Sequence, residues 1–231
     1  MYKNQSISII LPAYNEERTI SNVIIDLKKL NIFDEIIAVD NNSTDNTKTE
    51  ILKHNVTYVS ITDRQGSGAA VVGGLNVAKT NLIMIFEPEG SFNAIDCLKL
   101  LNIMDEEKLD AVFTSRTSGK MIFYLKYGNW LYAKFLRLLF GGSNITDVGS
   151  SLRLIKKENY DKFKENMKYP GPEFQVELSI NLMRQKIKIK QIPIEYKHRI
   201  GPSKYTGNFS DSFMVALRFT KVVFLKFFKI E

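Results

Sequence analysis

Two short apolar runs that end abruptly in polar residues constrain this chain more than any other feature: residues 7–17 (ISIILPAYNEE) and 35–45 (EIIAVDNNSTD). Ile7, Ile9, Ile10 and Leu11 read as a buried strand, and so do Ile36, Ile37, Ala38 and Val39. Between them Ile20, Val23, Ile24, Leu27 and Leu30 recur at helical spacing. The result is a strand–helix–strand unit with chemically capable residues at both strand ends. In open α/β sheets, ligands bind outside the carboxyl ends of the strands.

The pattern repeats along the chain. Residues 56–61, 82–86 and 111–114 are expected strands, and residues 95–104 have helical spacing. Gly66, Gly68, Gly73 and Gly74 open or punctuate a helix running to about Lys79. Such alternation predicts an α/β fold with a mostly parallel central sheet and crossover helices. After Arg116 the texture changes. Residues 121–140 hold seven aromatic side chains with Lys126, Lys134 and Arg137 interleaved. This stretch is either an amphipathic helix packed on the sheet or a surface that meets lipid. Residues 173–183 read as a helix. Residues 187–194 read as a half-exposed strand, at a sheet edge because of Pro193.

Composition narrows the partners. At 231 residues the chain has room for one large domain with ample core. A net charge of +7 points to an anionic partner. Lys and Arg thicken toward the C-terminus without a nucleic-acid-binding module, so nucleic acid is not expected. One cysteine, Cys97, allows no internal disulfide, which fits a reducing compartment. Residues 213–228 come nearest to a membrane span, but Arg218, Lys221 and Lys226 interrupt them. No apolar leader precedes the first strand, so a cytoplasmic location is expected.

The motifs then carry a resemblance. Pro12-Ala13-Tyr14-Asn15-Glu16 and Val39-Asp40-Asn41-Asn42-Ser43-Thr44-Asp45 are similar to the nucleotide-sugar signature of inverting GT-A glycosyltransferases of family 2. The usual pattern there is P-x-Y-N-E followed by V-D-D-G-S-x-D. Further matches follow in order at Arg64-Gln-Gly-Ser-Gly-Ala-Ala, Ser115-Arg116, Asp147-Val-Gly-Ser-Ser-Leu-Arg153 and Arg199-Ile-Gly-Pro-Ser-Lys204. Within that family the order resembles the polyprenyl-phosphate (dolichol-phosphate mannose or glucose) sugar synthases, over roughly residues 5–205.

The resemblance implies a GT-A catalytic domain over residues 1–210, with a nucleotide-binding half to 115 and an acceptor half from 116. Residues 211–231 would follow as an amphipathic helix. It implies that Pro12, Ala13, Tyr14, Glu16, Asp40, Asn42 and Gly66 contact the nucleotide sugar. Carboxylates such as Glu16 and Asp40 suit a base edge or ribose hydroxyls, although Asx residues at such places also cap turns. Asn41 and Asn42 stand where Asp and Gly are usual, and Asn42 tolerates the left-handed backbone that Gly allows. The family's D-x-D metal motif falls on Glu87-Pro88-Glu89. Glu89, with Glu87 second, is therefore the expected ligand pair for Mg²⁺ or Mn²⁺, hard cations that favour oxygen. Arg199 and Lys204 would clamp the diphosphate. Arg116 would hold the acceptor, with Lys120 and Lys126 as weaker candidates, and Asp147 would border the reaction centre. Glu89, Arg116, Asp147 and Arg199 are the expected catalytic set.

The acceptor is inferred from what is missing. Neither an E-D pair nor Q-x-x-R-W, used by processive relatives on sugar hydroxyls, occurs. A sugar hydroxyl needs a general base, whereas a phosphate monoester, with a second pKa of about 6, is already an anion. A polyprenyl phosphate is thus the expected acceptor, and a membrane surface the expected partner. In a helix over 212–229, at about 100° per residue, Arg218, Lys221, Lys226 and Lys229 fall in one sector with Phe213, Leu217, Val223, Phe224, Phe227 and Phe228 broadly opposite. That suits an interfacial helix or one packed on the domain. Two other functions stay open: extension of a cell-surface glycan on a sugar hydroxyl, and binding of nucleotide sugar without turnover.

Overall fold

Ile7, Ile9, Ile10 and Leu11 have no exposed surface, which a strand achieves only where both faces of its sheet are covered. They form β1 (Ile7–Ala13) at the middle of the molecule. The computed structural model describes residues 2–119, 123–141, 145–197, 199–201 and 209–230. The other strands are β2 (Glu35–Asp40), β3 (Thr57–Ser60), β4 (Leu82–Ile85), β5 (Ala111–Gly119), β6 (Arg153–Lys156) and β7 (Ile189–Tyr196). They make one seven-stranded sheet in the order β3-β2-β1-β4-β6-β5-β7. All neighbours run parallel except β6, which is antiparallel to both β4 and β5.

The mostly parallel α/β sheet is as expected, and β6 is the strand that the pattern did not show. Its four residues, RLIK, open with an arginine. Arg153 nevertheless has no exposed surface, because β6 pairs on both edges and α7 covers it. β7 pairs only with β5 and is an edge strand, where Pro193 removes a donor at little cost.

Helices cover both faces. On one side lie α1 (Ile20–Lys29), α2 (Thr47–Leu52) and α4 (Asp96–Glu106), packed through Ile20, Ile24, Leu27, Ile51, Leu100 and Met104. On the other lie α3 (Ser67–Val77), α5 (Phe123–Phe140), α6 (Lys157–Asp161), α7 (Phe174–Arg184) and α8 (Phe209–Phe227). α1 shows how sequence sets these elements. Ile20, Ile24 and Leu27 face the sheet at intervals of four and three, Lys28 and Lys29 sit in the last turn where the helix dipole favours cations, and Asn31 at φ 51° ends it. Each such buried aliphatic side chain contributes about 1.5–3 kcal/mol.

α5 and α8 pack against each other through Tyr132 with Phe219 and Phe140 with Phe227. α8 corrects the wheel drawn from its sequence. Lys226 is 6% exposed and pairs with the buried Glu177 of α7 at 2.9 Å, and Arg218 pairs with Glu173. Val222 and Val223 are buried beside them, while Phe213, Met214, Leu217, Phe224 and Phe228 face outward. Two members of the basic sector therefore turn onto the domain, and much of the aromatic set turns away from it. The reason is the pair of buried carboxylates Glu173, just before α7, and Glu177 within it, which need cations more than Phe side chains need cover. Among the described residues, no helix is long and apolar enough to cross a membrane.

Candidate active site

The carboxyl ends of β1, β2, β4 and β5 lie side by side, because Ala13 pairs with Asp40, Ile10 with Ile85 and Phe113 with Arg153 of the intervening β6. The loops that leave β1 and β2 are stitched together. Asn15, at φ 55°, accepts the Thr44 N–H at 2.8 Å, and its own N–H donates to the Ser43 hydroxyl at 3.0 Å. Glu16 N–H donates to Thr47 Oγ1 at 2.7 Å, and the Glu17 carboxylate accepts the Asn46 N–H at 3.0 Å. Pro12, Ala13 and Tyr14 lead into this double loop. Asp40 is 4% exposed, with one oxygen accepting the Ser43 N–H and the other the Tyr58 hydroxyl. Asn42 follows at φ 60° with its side chain exposed. Asn41 turns to the loop before α3: its Oδ1 accepts the Gly66 N–H at 2.9 Å and its Nδ2 donates to the Arg64 carbonyl at 3.4 Å.

A row of alternating charges crosses the site from here. Glu16, 9% exposed, meets Arg199 at 3.3 Å, and the same guanidinium meets Glu89 at 2.8 Å. The Arg199 segment lies along the loop after β4, with Ile200 N–H donating to the Glu89 carbonyl and Lys197 N–H to the Ser91 carbonyl. The Ser91 hydroxyl donates to Glu89 Oε1 at 2.7 Å, and the Tyr196 hydroxyl reaches the same oxygen at 3.4 Å. Glu87 comes next, near enough to Glu89, Arg116 and Arg199 for their charges to act on it. Arg116, on β5, ends it as a bidentate pair with Asp147, Nε to Oδ2 at 2.8 Å and Nη2 to Oδ1 at 2.9 Å. Asp147 also accepts from the Arg116 and Gly149 N–H groups and from Asn129 Nδ2 of α5. Gln191 of β7 accepts the Asp147 N–H and donates to the Asp147 carbonyl.

The charges follow from these surroundings. Burial pushes the Glu16 carboxyl up to about 7, with Arg199 and Thr19 only partly opposing it. Burial and the adjacent Glu89 charge raise Glu87 well above the usual carboxylate range. Burial also works against ionised Asp147, but Arg116 and the N–H donors outweigh it and hold its carboxyl low. Beneath the row Arg153, stacked on Phe113, donates to the carbonyls of Val148, Ser150 and Gln175 and to the Ser179 hydroxyl. Burial pulls its guanidinium down to about 9, with Asp147 only partly opposing it.

The structure thus brings Glu16, Glu87, Glu89, Arg116, Asp147 and Arg199 into one row, with Pro12, Ala13, Tyr14, Asp40, Asn42 and Gly66 grouped at its β1–β2 end. Lys120 and Lys204 lie outside the described residues, as does the side chain of Lys126. Tyr58, Asn129, Gln191 and Tyr196 escaped the sequence reading, since each reaches the site from an element whose place depends on strand order.

Residues 8–163 match glycosyl transferase family 2. The chain belongs to that family, and it is a glycosyltransferase. It is 28% identical over 215 residues to the UDP-N-acetylglucosamine–dolichyl-phosphate N-acetylglucosaminyltransferase of Methanococcus voltae, covering 82% of this chain and 84% of that protein. It is 26% identical over 206 residues to the low-salt glycan biosynthesis hexosyltransferase Agl6 of Haloferax volcanii, covering 85% of this chain and 49% of that one. Among solved structures, glucosyl-3-phosphoglycerate synthase of Mycobacterium tuberculosis, in complex with Mn²⁺, UDP and phosphoglyceric acid, superposes with a TM-score of 0.76 at 20% identity. That match covers 97% of this chain and 78% of that one. A second complex of that synthase, with Mg²⁺ and UDP, gives a TM-score of 0.77. At this identity the likeness establishes the GT-A fold.

Proposed function

We propose that this glycosyltransferase moves one sugar from a nucleotide sugar to a polyprenyl phosphate, with inversion at the anomeric carbon. The observation that carries the acceptor assignment is the state of Asp147. Its two oxygens already accept from Arg116, Gly149 and Asn129, and it is held ionised at low basicity. Such a carboxylate positions Arg116 and does not deprotonate a sugar hydroxyl. An acceptor that is already an anion needs no base, and the Arg116 cation suits it. The named activity of the Methanococcus relative is in keeping with this reading.

On the donor side, Pro12, Ala13, Tyr14, Glu16, Asp40, Asn42 and Gly66 would enclose the nucleoside. Glu87 and Glu89 would hold Mg²⁺ or Mn²⁺. The donor set fits a hard cation, since the Glu89 charge raises the proton affinity of the buried Glu87 and a divalent ion would relieve that repulsion. Among the described residues no group of three or more His, Cys, Asp or Glu is arranged around one point. Diphosphate and water would complete the coordination, as is usual for Mg²⁺. When bound, the ion neutralises charge on the leaving diphosphate. Arg199, whose Nε is buried without a partner among the described residues, would turn that donor to the diphosphate, and Lys204 would supply a second cation. A phosphate oxygen of the acceptor attacks C1. The bond from C1 to the diphosphate oxygen breaks, and its electron pair leaves with the nucleoside diphosphate.

The acceptor calls for a membrane surface. The outward apolar side chains of α5 and α8, among them Leu131, Phe135, Leu138, Leu217 and Phe224, with exposed Lys134, Arg137, Lys221 and Lys229 around them, suit peripheral attachment to an anionic leaflet on its cytoplasmic face.

The test offers UDP- and GDP-sugars with three acceptors: polyprenyl phosphate, the dephosphorylated alcohol and an oligosaccharide. Transfer to the lipid phosphate alone is expected. Transfer to the oligosaccharide would establish the glycan-extending alternative instead, and nucleotide-sugar binding without transfer or hydrolysis would establish the binding-protein alternative.

A further inference from the structure

The donor end of the row is held from behind by a chain of polar contacts that runs to the C-terminal helix. The loop from Arg64 to Gly68 is pinned in front by Asn41 and rests behind on residues 168–171. The Pro170 carbonyl accepts the Ala69 N–H at 2.9 Å, and the Lys168 carbonyl accepts from the Arg64 guanidinium. The fit leaves no slack. A Cβ on Gly66, which stands at φ 144°, would collide with the Pro170 carbonyl, and one on Gly68 with Tyr169 and Phe174. Residues 168–171 belong to no helix or strand, so something else must hold them. That support is Glu177 of α7, which has no exposed surface. Its carboxylate accepts the Lys168 N–H at 3.0 and 3.1 Å and the Tyr169 N–H at 3.2 Å. Lys226 of α8 supplies its counter-charge at 2.9 Å and donates to the Asn166 carbonyl at 3.3 Å. A fully buried carboxylate is tolerated only with such a set of donors. Both residues lie beyond the segment that matches the family.

We propose that Glu177 and Lys226 are positioning residues for nucleotide binding: their ion pair holds residues 168–171 against the Arg64–Gly68 loop and so sets donor affinity. This rests on the reading of that loop as part of the donor pocket.

The test replaces the pair by neutral residues of similar size, Glu177→Gln with Lys226→Met, so that no buried charge is stranded. In the full chain, Kd for UDP and for GDP is measured by calorimetry well below the melting temperature, and amide exchange is followed at Gly66 and Ala69. Met104→Ala is the control for loosened packing, since it trims the core on the opposite face of the sheet, away from residues 168–171. The double variant should weaken nucleotide Kd by about tenfold, the scale of one charge-assisted hydrogen bond, and speed exchange at Gly66 and Ala69. Met104→Ala should lower the melting temperature at unchanged Kd. If the double variant does not fold, Lys226→Arg, which keeps the charge, should bind as wild type while Glu177→Asp, one methylene short, binds more weakly. Wild-type Kd and exchange in the folded Glu177 variants would overturn the proposal alone. A wild-type chain that binds neither nucleotide would overturn the donor reading together with it.

Discussion

On the proposed reading, Glu16, Glu89 and Arg116 would each carry a separable share of the chemistry. Glu16 is a buried acid with its carboxyl raised to about 7 against an ordinary 4.5. Between those values the folded chain binds a proton that the unfolded chain does not. The stability linked to Glu16 is therefore complete below about pH 4.5 and is lost as pH rises through 7. Glu16→Gln should flatten that part of the curve of melting temperature against pH, and an unchanged slope would remove Glu16 as its source. Glu89→Gln should abolish stimulation of transfer by Mn²⁺ at near-wild-type stability; a wild-type response to Mn²⁺ would move the metal elsewhere. Arg116→Ala should raise the KM for polyprenyl phosphate by about tenfold or more through loss of a charge-assisted contact, with the donor KM little changed. Equal loss on both sides would instead put Arg116 on the diphosphate. At this scale the sequence revealed which residues gather but not how they are used. Asp40 and Asn41 were legible as residues at a strand end. That Tyr58 takes one oxygen of Asp40, and that Asn41 faces Gly66, depends on partners 18 and 25 residues away.

Element by element, what could be read depended on burial symmetry. β1, β2 and β4 were plain because a strand covered on both faces is apolar throughout, and α1 because one buried stripe has the helical period. β6 was not, since its first residue is an arginine, held in place by donating to three backbone carbonyls and Ser179. The orientation of α8 was hidden for a related reason. A helical wheel knows nothing of Glu173 and Glu177, which draw Arg218 and Lys226 inward and leave Phe213, Leu217 and Phe224 outside. Membrane attachment should therefore depend on apolar insertion more than on charge. Leu217→Ser combined with Phe224→Ser, forfeiting about 1.5–3 kcal/mol at each site, should stop the chain from pelleting with anionic vesicles. Raised salt should only weaken wild-type pelleting, through Lys134, Arg137, Lys221 and Lys229. Full release by salt, or unchanged pelleting of the double variant, would refute insertion by this face.

For the molecule as a whole, one sheet joins the two halves of the site. On the proposed reading, strands β3-β2-β1-β4 would carry the donor end and strands β6-β5-β7 the acceptor end, and the row from Glu16 to Asp147 crosses the seam between β4 and β6. A nucleotide bound only by the folded chain should stabilise all of it. At a hundredfold excess over Kd the gain is about 2.7 kcal/mol, or about 5–10 °C for a chain of this size. A thermal-shift panel of UDP and GDP with and without Mn²⁺ reads this directly. The nucleotide that gives no shift at saturating concentration is excluded as the donor base.

Strand order also governs what the ribosome must deliver before the sheet can close. β5 emerges with residues 111–119 and can meet β6 by residue 156, yet its outer partner, β7, arrives only with residues 189–196. Through that interval Ala111, Val112 and Phe113, wholly buried in the finished protein, sit on a strand with one bare edge. An unpaired apolar edge is a template for other chains. A nascent chain arrested before Ile189 should therefore be a chaperone client prone to coaggregation, and release from that state should coincide with the synthesis of Tyr196.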